Sequence, residues 1–167
     1  MLNNRGVKLR NADILKADNL SNVPENLQDG YAKQWEDIES YFGEDFDKFL
    51  SHLQSVLVKE KARLSLLDEF EKNIFLAERL NKGDDFFNFI NRYKENYEYL
   101  FDTTQDKQLK SLLILMQVGF ESDIWIAPLL KYYDKFKDEG LYDFIEKLNN
   151  KFASDWISGL NPTDRIK

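Results

Sequence analysis

The 167 residues include no cysteine, one histidine, three prolines and seven glycines. Each scarcity excludes something. Without cysteine there is no disulfide, no thiol nucleophile and no thiolate metal site, a composition that fits a reducing cytoplasm. With His52 as the lone histidine, a His-metal cluster cannot form within one chain, nor can a nuclease motif that needs two histidines. So few glycines and prolines favour long helices over many short strands. Long apolar runs are missing too. The longest fully apolar stretch, Leu112 to Met116, falls far short of the roughly 20 residues a membrane-crossing helix needs. The basic residues near Met1 are not followed by the apolar segment of a signal peptide. The expectation is a chain without a membrane partner.

Positive charge is also in deficit. Lys and Arg number 23 against 30 Asp and Glu, a net charge of −7 and a pI of about 4.8. A field of that sign repels polyanions over most of the surface. Residues 1–20 depart from it, with Arg5, Lys8, Arg10 and Lys16 against Asp13 and Asp18. This stretch is either a contact for nucleic acid or nucleotide, or a solvated segment that packs on another body.

What the chain does have is apolar residues at helical spacing. Tyr31, Trp35, Ile38 and Phe42 form one stripe, stopped by Gly43. Phe46, Phe49, Leu50, Leu53 and Leu57 form the next, behind the acidic pair Glu44-Asp45. Ser65 can cap a helix carrying Leu66, Phe70, Ile74 and Ala77 that ends at Gly83. Asp84 or Asp85 can cap the stripe of Phe86, Phe89, Ile90, Tyr93, Tyr97 and Leu100, broken at Thr103-Thr104. Asp106 precedes a helix with apolar residues on several sides, from Leu109 to Val118, which predicts the central and most buried helix. Pro128 fits the first turn of a helix ending by Gly140, and the last helix runs from Leu141 toward Gly159. No strand-length alternation and no fixed repeat is present. The fold class expected is all-α, a multi-helix bundle of about six to eight helices. Residues 1–20 read as a strap, 21–160 as the bundle and 161–167 as a linker tail.

Chemistry is sparse. A lone His52 on a charged helix reads as a surface residue rather than a catalyst. The acidic groups Asp68, Glu69 and Glu71, or Asp134 and Asp138, have the spacing for Mg²⁺ or acid–base work, yet Lys72, Lys135 and Lys137 nearby make ordinary ion pairing the better reading. There is no phosphate-cradling Gly-rich loop and no Gly-x-Ser-x-Gly setting. No catalytic residue and no metal ligand is assigned, and no cofactor is expected in this chain. The aromatic stripes read as core. Tyr97, Tyr99, Tyr132 and Tyr133 cannot all face one interior, so some are expected at the surface, where they can serve a partner.

The opening "NNRGVKLRNADILKADNL" resembles a stretch of the GmrSD-like family of modification-dependent restriction and anti-phage defence proteins. The residues that match are Asn4, Arg5, Gly6, Leu9, Asp13, Ile14, Leu15 and Lys16, with a looser match in "SDIWIAPLLKYYDKF". Gly6 permits a tight turn there, and Asn11 or Asp13 can cap the helix that follows. Members of the family join a ParB/sulfiredoxin-like nucleotide-binding domain to helical segments and often to an HNH-type nuclease domain. The family's Asp-Gly-Gln-Gln-Arg-type motif and its nuclease histidines do not occur in this sequence. The resemblance therefore implies a helical middle piece of a longer protein: a connector without activity of its own, beside neighbouring nucleotide-binding and nuclease domains, reaching DNA through the full-length protein. It implies a nucleoside triphosphate and a divalent metal for the parent protein. Asn4, Arg5 and Gly6 become candidates for contact with the nucleotide or the neighbouring domain, and Lys8, Arg10 and Lys16 for contact with DNA or that domain. The alternative is a free-standing all-α protein-interaction module.

Overall fold

The computed structural model describes residues 10–60 and 62–159. It is an all-α bundle, with no strand among the described residues. The helices are α1 (Asn11–Leu20), α2 (Glu25–Phe42), α3 (Phe46–Val58), α4 (Leu66–Asp68, continued as a π-helix over Glu69–Phe75), α5 (Asp84–Glu98, continued as a π-helix over Tyr99–Thr103), α6 (Lys107–Gly119), α7 (Ile126–Phe136) and α8 (Leu141–Ile157). A short 3₁₀ turn, Gly43–Asp45, joins α2 to α3. No helix among the described residues is long and apolar enough to cross a membrane.

Local sequence explains most boundaries. Ser65 Oγ accepts the Asp68 N–H at 3.2 Å, and Asp106 Oδ1 accepts the N–H groups of Gln108 and Leu109 at 2.9 and 3.1 Å. Both are side-chain caps that satisfy donors left over at a helix start. Pro128 lies in the first turn of α7, where no intrahelical N–H is needed. The start of α5 is different. Its N-cap is Gly83, and Asp84 and Asp85 occupy the first turn, facing the positive end of the helix dipole.

The helix expected from Leu66 to Gly83 stops sooner. After Asp68 it widens into i→i+5 bonds, such as Leu76 N–H to Glu71 O at 2.9 Å, and it ends at Phe75. The wider turn buries Phe70 and Ile74 together with the carboxylate of Glu69.

The centre of the molecule is aromatic. Trp35 from α2, fully buried, meets Phe46 edge-on at 5.0 Å and lies within 6.2 Å of Phe86 and Phe87 from α5. Such offset and edge-to-face pairs add to the free energy of area burial. Around them α3 packs on α7, α5 on α7, α2 on α5, and α8 on α6 and α7.

Helix α6 is not the central helix. Leu109, Leu113 and Met116 are buried, while Ile114, Leu115 and Val118 face outward, Val118 with 83% of its surface exposed. An all-round apolar helix needs neighbours on every side to be buried. α6 packs chiefly on α8, so its second apolar face remains open. The largest group of fully buried aromatic rings lies instead where α2, α3 and α5 meet, at Trp35, Phe46, Phe49, Phe86 and Phe87.

The tyrosines expected at the surface are covered. Tyr133 is buried and Tyr97, Tyr99 and Tyr132 are half-buried; none of the four is exposed. Tyr99 stacks on Tyr133 at 4.9 Å and Tyr132 on Phe144 at 3.9 Å. Their hydroxyls are used internally: Tyr99 donates to Asp138 at 2.9 Å and Tyr132 to the Glu139 carbonyl at 2.8 Å. A packed pair of rings hides area that one-dimensional spacing assigns to solvent.

Candidate functional site

The residues that form the most structured polar site come from two distant parts of the chain. His52 lies mid-helix on α3, one turn after Lys48. Asp123 lies in the loop between α6 and α7. Its Oδ2 stands 3.0 Å from Lys48 Nζ and 3.4 Å from His52 Nε2. His52 is 8% exposed, so it is not the surface residue that its setting predicts. Its stripe neighbours Phe49 and Leu53 enter the core, and the loop carrying Asp123 closes over the remaining face.

The electrostatics follow. The His52 imidazole, opposed by burial and assisted by Lys48, holds the Asp123 carboxyl far below the usual carboxylate range. Asp123 in turn raises the Lys48 ammonium above its ordinary value. The contacts are close, yet Oδ2 is buried without a hydrogen bond of good angle. The Lys48 ammonium, 3.0 Å away, acts on it chiefly through charge. The arrangement keeps Asp123 ionised and ties the α6–α7 loop to α3. Among the described residues no hydroxyl nucleophile is hydrogen-bonded to His52: the nearby Ser51 and Ser55 hydroxyls donate to the backbone carbonyls of Asp47 and Ser51.

This cluster separates two cavities. On one side a groove of about 860 Å³ runs between α3, α7 and α8, floored by Val56, Ile124, Ala127, Phe144, Leu148 and Phe152. On the other side lies a smaller polar cavity of about 280 Å³ near Tyr41, Asp45 and Asp102. Lys48 and His52 line both.

The mouth of the groove includes Lys59, Glu60 and Ala62, from the segment after α3. That segment is anchored by Glu69. Its carboxylate accepts the backbone N–H groups of Arg63 and Leu64 at 2.6 and 2.9 Å, the Asn73 amide at 2.6 Å and the Gln54 amide at 3.1 Å. Burial raises the Glu69 carboxyl, but these four donors outweigh it and the net displacement is downward. Glu69 is thus a structural anchor, with Asp68 paired to Lys72 and Glu71 to Lys82. Asp134 binds Arg92, Tyr93 and Asn96 and joins α7 to α5. Among the described residues no group of three or more His, Asp and Glu is arranged to hold a metal ion.

The N-terminal candidates divide. Asn4, Arg5, Gly6 and Lys8 lie outside the described residues. Arg10 is the N-cap of α1 and pairs with Asp13 and with Glu39 of α2; Lys16 pairs with Glu36 of α2 at 3.0 Å. These two cations are brought together along the α1–α2 seam, over Ala12 and Leu15, which are buried.

Asp123 carried no signal of its own in the sequence, where it is one acid among 30. A lone histidine on the buried side of a helix, needing a polar partner, was the one available hint. The chain matches no family model, no curated protein and no solved structure.

Proposed function

We propose that this chain is a helical connector domain that makes and breaks no bonds itself and docks a neighbouring domain of the same protein on its α6–α8 side. The observation that carries this reading is the open apolar face of α6. Ile114, Leu115 and Val118 point outward on one helix, and Trp156 and Ile157 stand 60% and 79% exposed at the end of α8. Phe120 and Phe152, 6.0 Å apart, bring the C-terminal ends of the two helices together. Concentrated apolar exposure of this kind marks protein-interaction surfaces. The four tyrosines of the alternative interaction-module reading are used internally, so a partner on this face meets Ile114, Leu115 and Val118 with Trp156 and Ile157.

The resemblance of residues 4–16 supports a GmrSD-like DNA-targeting defence nuclease as the larger protein. In that setting nucleotide, divalent metal and DNA belong to the neighbouring domains, and the connector transmits position between them. Arg5 with Asn4 would contribute to the neighbouring nucleotide site, and Lys8 to DNA or domain contact.

The test is reconstitution with the products of the coding DNA that flanks this segment. A flanking domain should bind the chain in calorimetry, and Leu115→Glu with Val118→Glu should weaken that binding by about tenfold or more. Absence of binding, or binding indifferent to both substitutions, removes the proposal. Nucleoside triphosphate turnover by the isolated chain with Mg²⁺, lost on Arg5→Ala, would do the same.

A further inference from the structure

The outward side of α6 is a regular stripe. Lys107, Ser111, Ile114 and Val118 follow one another at intervals of four, three and four, and all four are exposed. That spacing lines residues along one side of a helix and suits two helices packed side by side at a shallow angle. Lys110 and Leu115 flank the stripe and are exposed as well, while Leu109, Leu113 and Met116 are buried on the opposite side.

Charge runs along the stripe from positive to negative. Lys107 and Lys110 stand at the start of α6, the positive end of its dipole, and Glu121 is exposed two residues past Gly119, at the negative end. None of the three has an ion pair among the described residues. Asp106 lies beside the two lysines, and its Oδ1 accepts the N–H groups of Gln108 and Leu109 as the N-cap. The start of α6 thus keeps two cations against one anion. Ile114 is the midpoint, seven residues after Lys107 and seven before Glu121, with about 10 Å of helix rise separating it from Lys107.

We propose that two copies of the chain pair through α6, antiparallel, about a two-fold axis at Ile114. A two-fold contact must be self-complementary, each residue meeting in the second copy the residue that meets it in return. Antiparallel pairing sets Ile114 on Ile114, Val118 near Ser111, and Lys107 toward Glu121 of the second copy. It also opposes the two helix dipoles. Parallel pairing sets Lys107 on Lys107 and Glu121 on Glu121, so like charge selects against it. The apolar middle supplies the burial and the charged ends supply the direction.

Helix α8 extends the surface. Trp156 lies one turn beyond Phe152 on the same side of α8, and Phe152 meets Phe120 where α6 has ended. Trp156, 60% exposed, therefore stands past the end of α6, where the lysine-bearing first turn of the other α6 arrives. A lysine over an indole ring is a favourable pairing. The pair covers Ile114 and Val118, which on the docking reading hold a neighbouring domain. Self-pairing then keeps that face closed until the domain displaces the second copy; this regulatory step rests on the docking reading, and the pairing itself does not.

Sedimentation velocity on the whole chain, alone, tests the pairing. The sedimentation coefficient should rise from the monomer toward the dimer value between about 10 and 500 µM, as befits a small interface. Ile114→Glu changes an exposed residue, should keep the wild-type melting temperature at low concentration, and should stay monomeric throughout. Lys107→Glu alone and Glu121→Lys alone should each weaken the dimer about fivefold or more, and the variant carrying both should recover to within about twofold of the wild type. Three results overturn the proposal: a wild-type chain that is monomeric at 500 µM, a dimer that Ile114→Glu leaves intact, or charge variants that fail to weaken it singly and recover it together. A chain that dimerises but binds no flanking domain sinks the docking reading alone. One that binds a flanking domain but never dimerises sinks the pairing alone.

Discussion

Asn19 and Gly83 lock the first helix to the start of α5. The Asn19 side chain, fully buried on α1, accepts the Gly83 backbone N–H at 3.2 Å and donates to the Leu15 carbonyl at 2.9 Å. The approach is so close that a Cβ on Gly83 would lie 2.6 Å from the Asn22 carbonyl oxygen, and its φ is +82°. Gly83→Ala therefore combines left-handed strain with a backbone clash that no side-chain rotation relieves. It should cost about 2–4 kcal/mol and lower the melting temperature by roughly 5–10 °C in a calorimetric scan. A shift under one degree would mean that the junction of α1 and α5 is looser than its geometry.

Glu69 tests the anchoring of the groove mouth. Glu69→Ala leaves four donors facing a buried void, at a cost of about 2–4 kcal/mol. The segment from Lys59 to Ser65 should then be cut faster by protease under native conditions, with cleavage sites read by mass spectrometry. Unchanged protection there would place its stability elsewhere.

Acid stability follows from Asp123 and Glu69 with a definite sign. Both carboxyls are lowered in the folded state. Their contribution is therefore fully present above the ordinary carboxylate pKa of about 4, and it is lost as the pH falls through the lower folded-state values. Asp123→Asn should cost about 1–2 kcal/mol at pH 7, with a shrinking difference from wild type below about pH 4. Denaturant titrations at pH 7, 4 and 2.5 check it. A difference that stays constant down to pH 2.5 would contradict the ionised Asp123.

The two faces of α6 predict opposite mutational behaviour. Leu113→Ala, at a buried position, should cost about 2–4 kcal/mol. Val118→Ala, on the open face, should stay within about 0.5 kcal/mol. Urea unfolding of the two variants measures both. Comparable losses would return α6 to the centre of the bundle.

That the chain is helical, and where most of its helices begin, is legible in the order of residues alone. Stripes such as Trp35, Ile38 and Phe42, and the capping oxygens of Ser65 and Asp106, act within a turn or two, so their effect is visible in a one-dimensional string. The short reach of those signals also explains what stayed hidden. Periodicity names an apolar face but not its neighbour, and α6 carries more apolar surface than its partners cover. Spacing placed some of Tyr97, Tyr99, Tyr132 and Tyr133 at the surface without anticipating the ring stacking that covers them. Glu69 as an anchor, His52 as a buried partner of Asp123, and the groove that His52 and Asp123 border all depend on segments brought together by packing. Ion pairs act through space rather than along the chain, so it is the packing of α3 against the α6–α7 loop that sets which of 30 acids faces the single histidine.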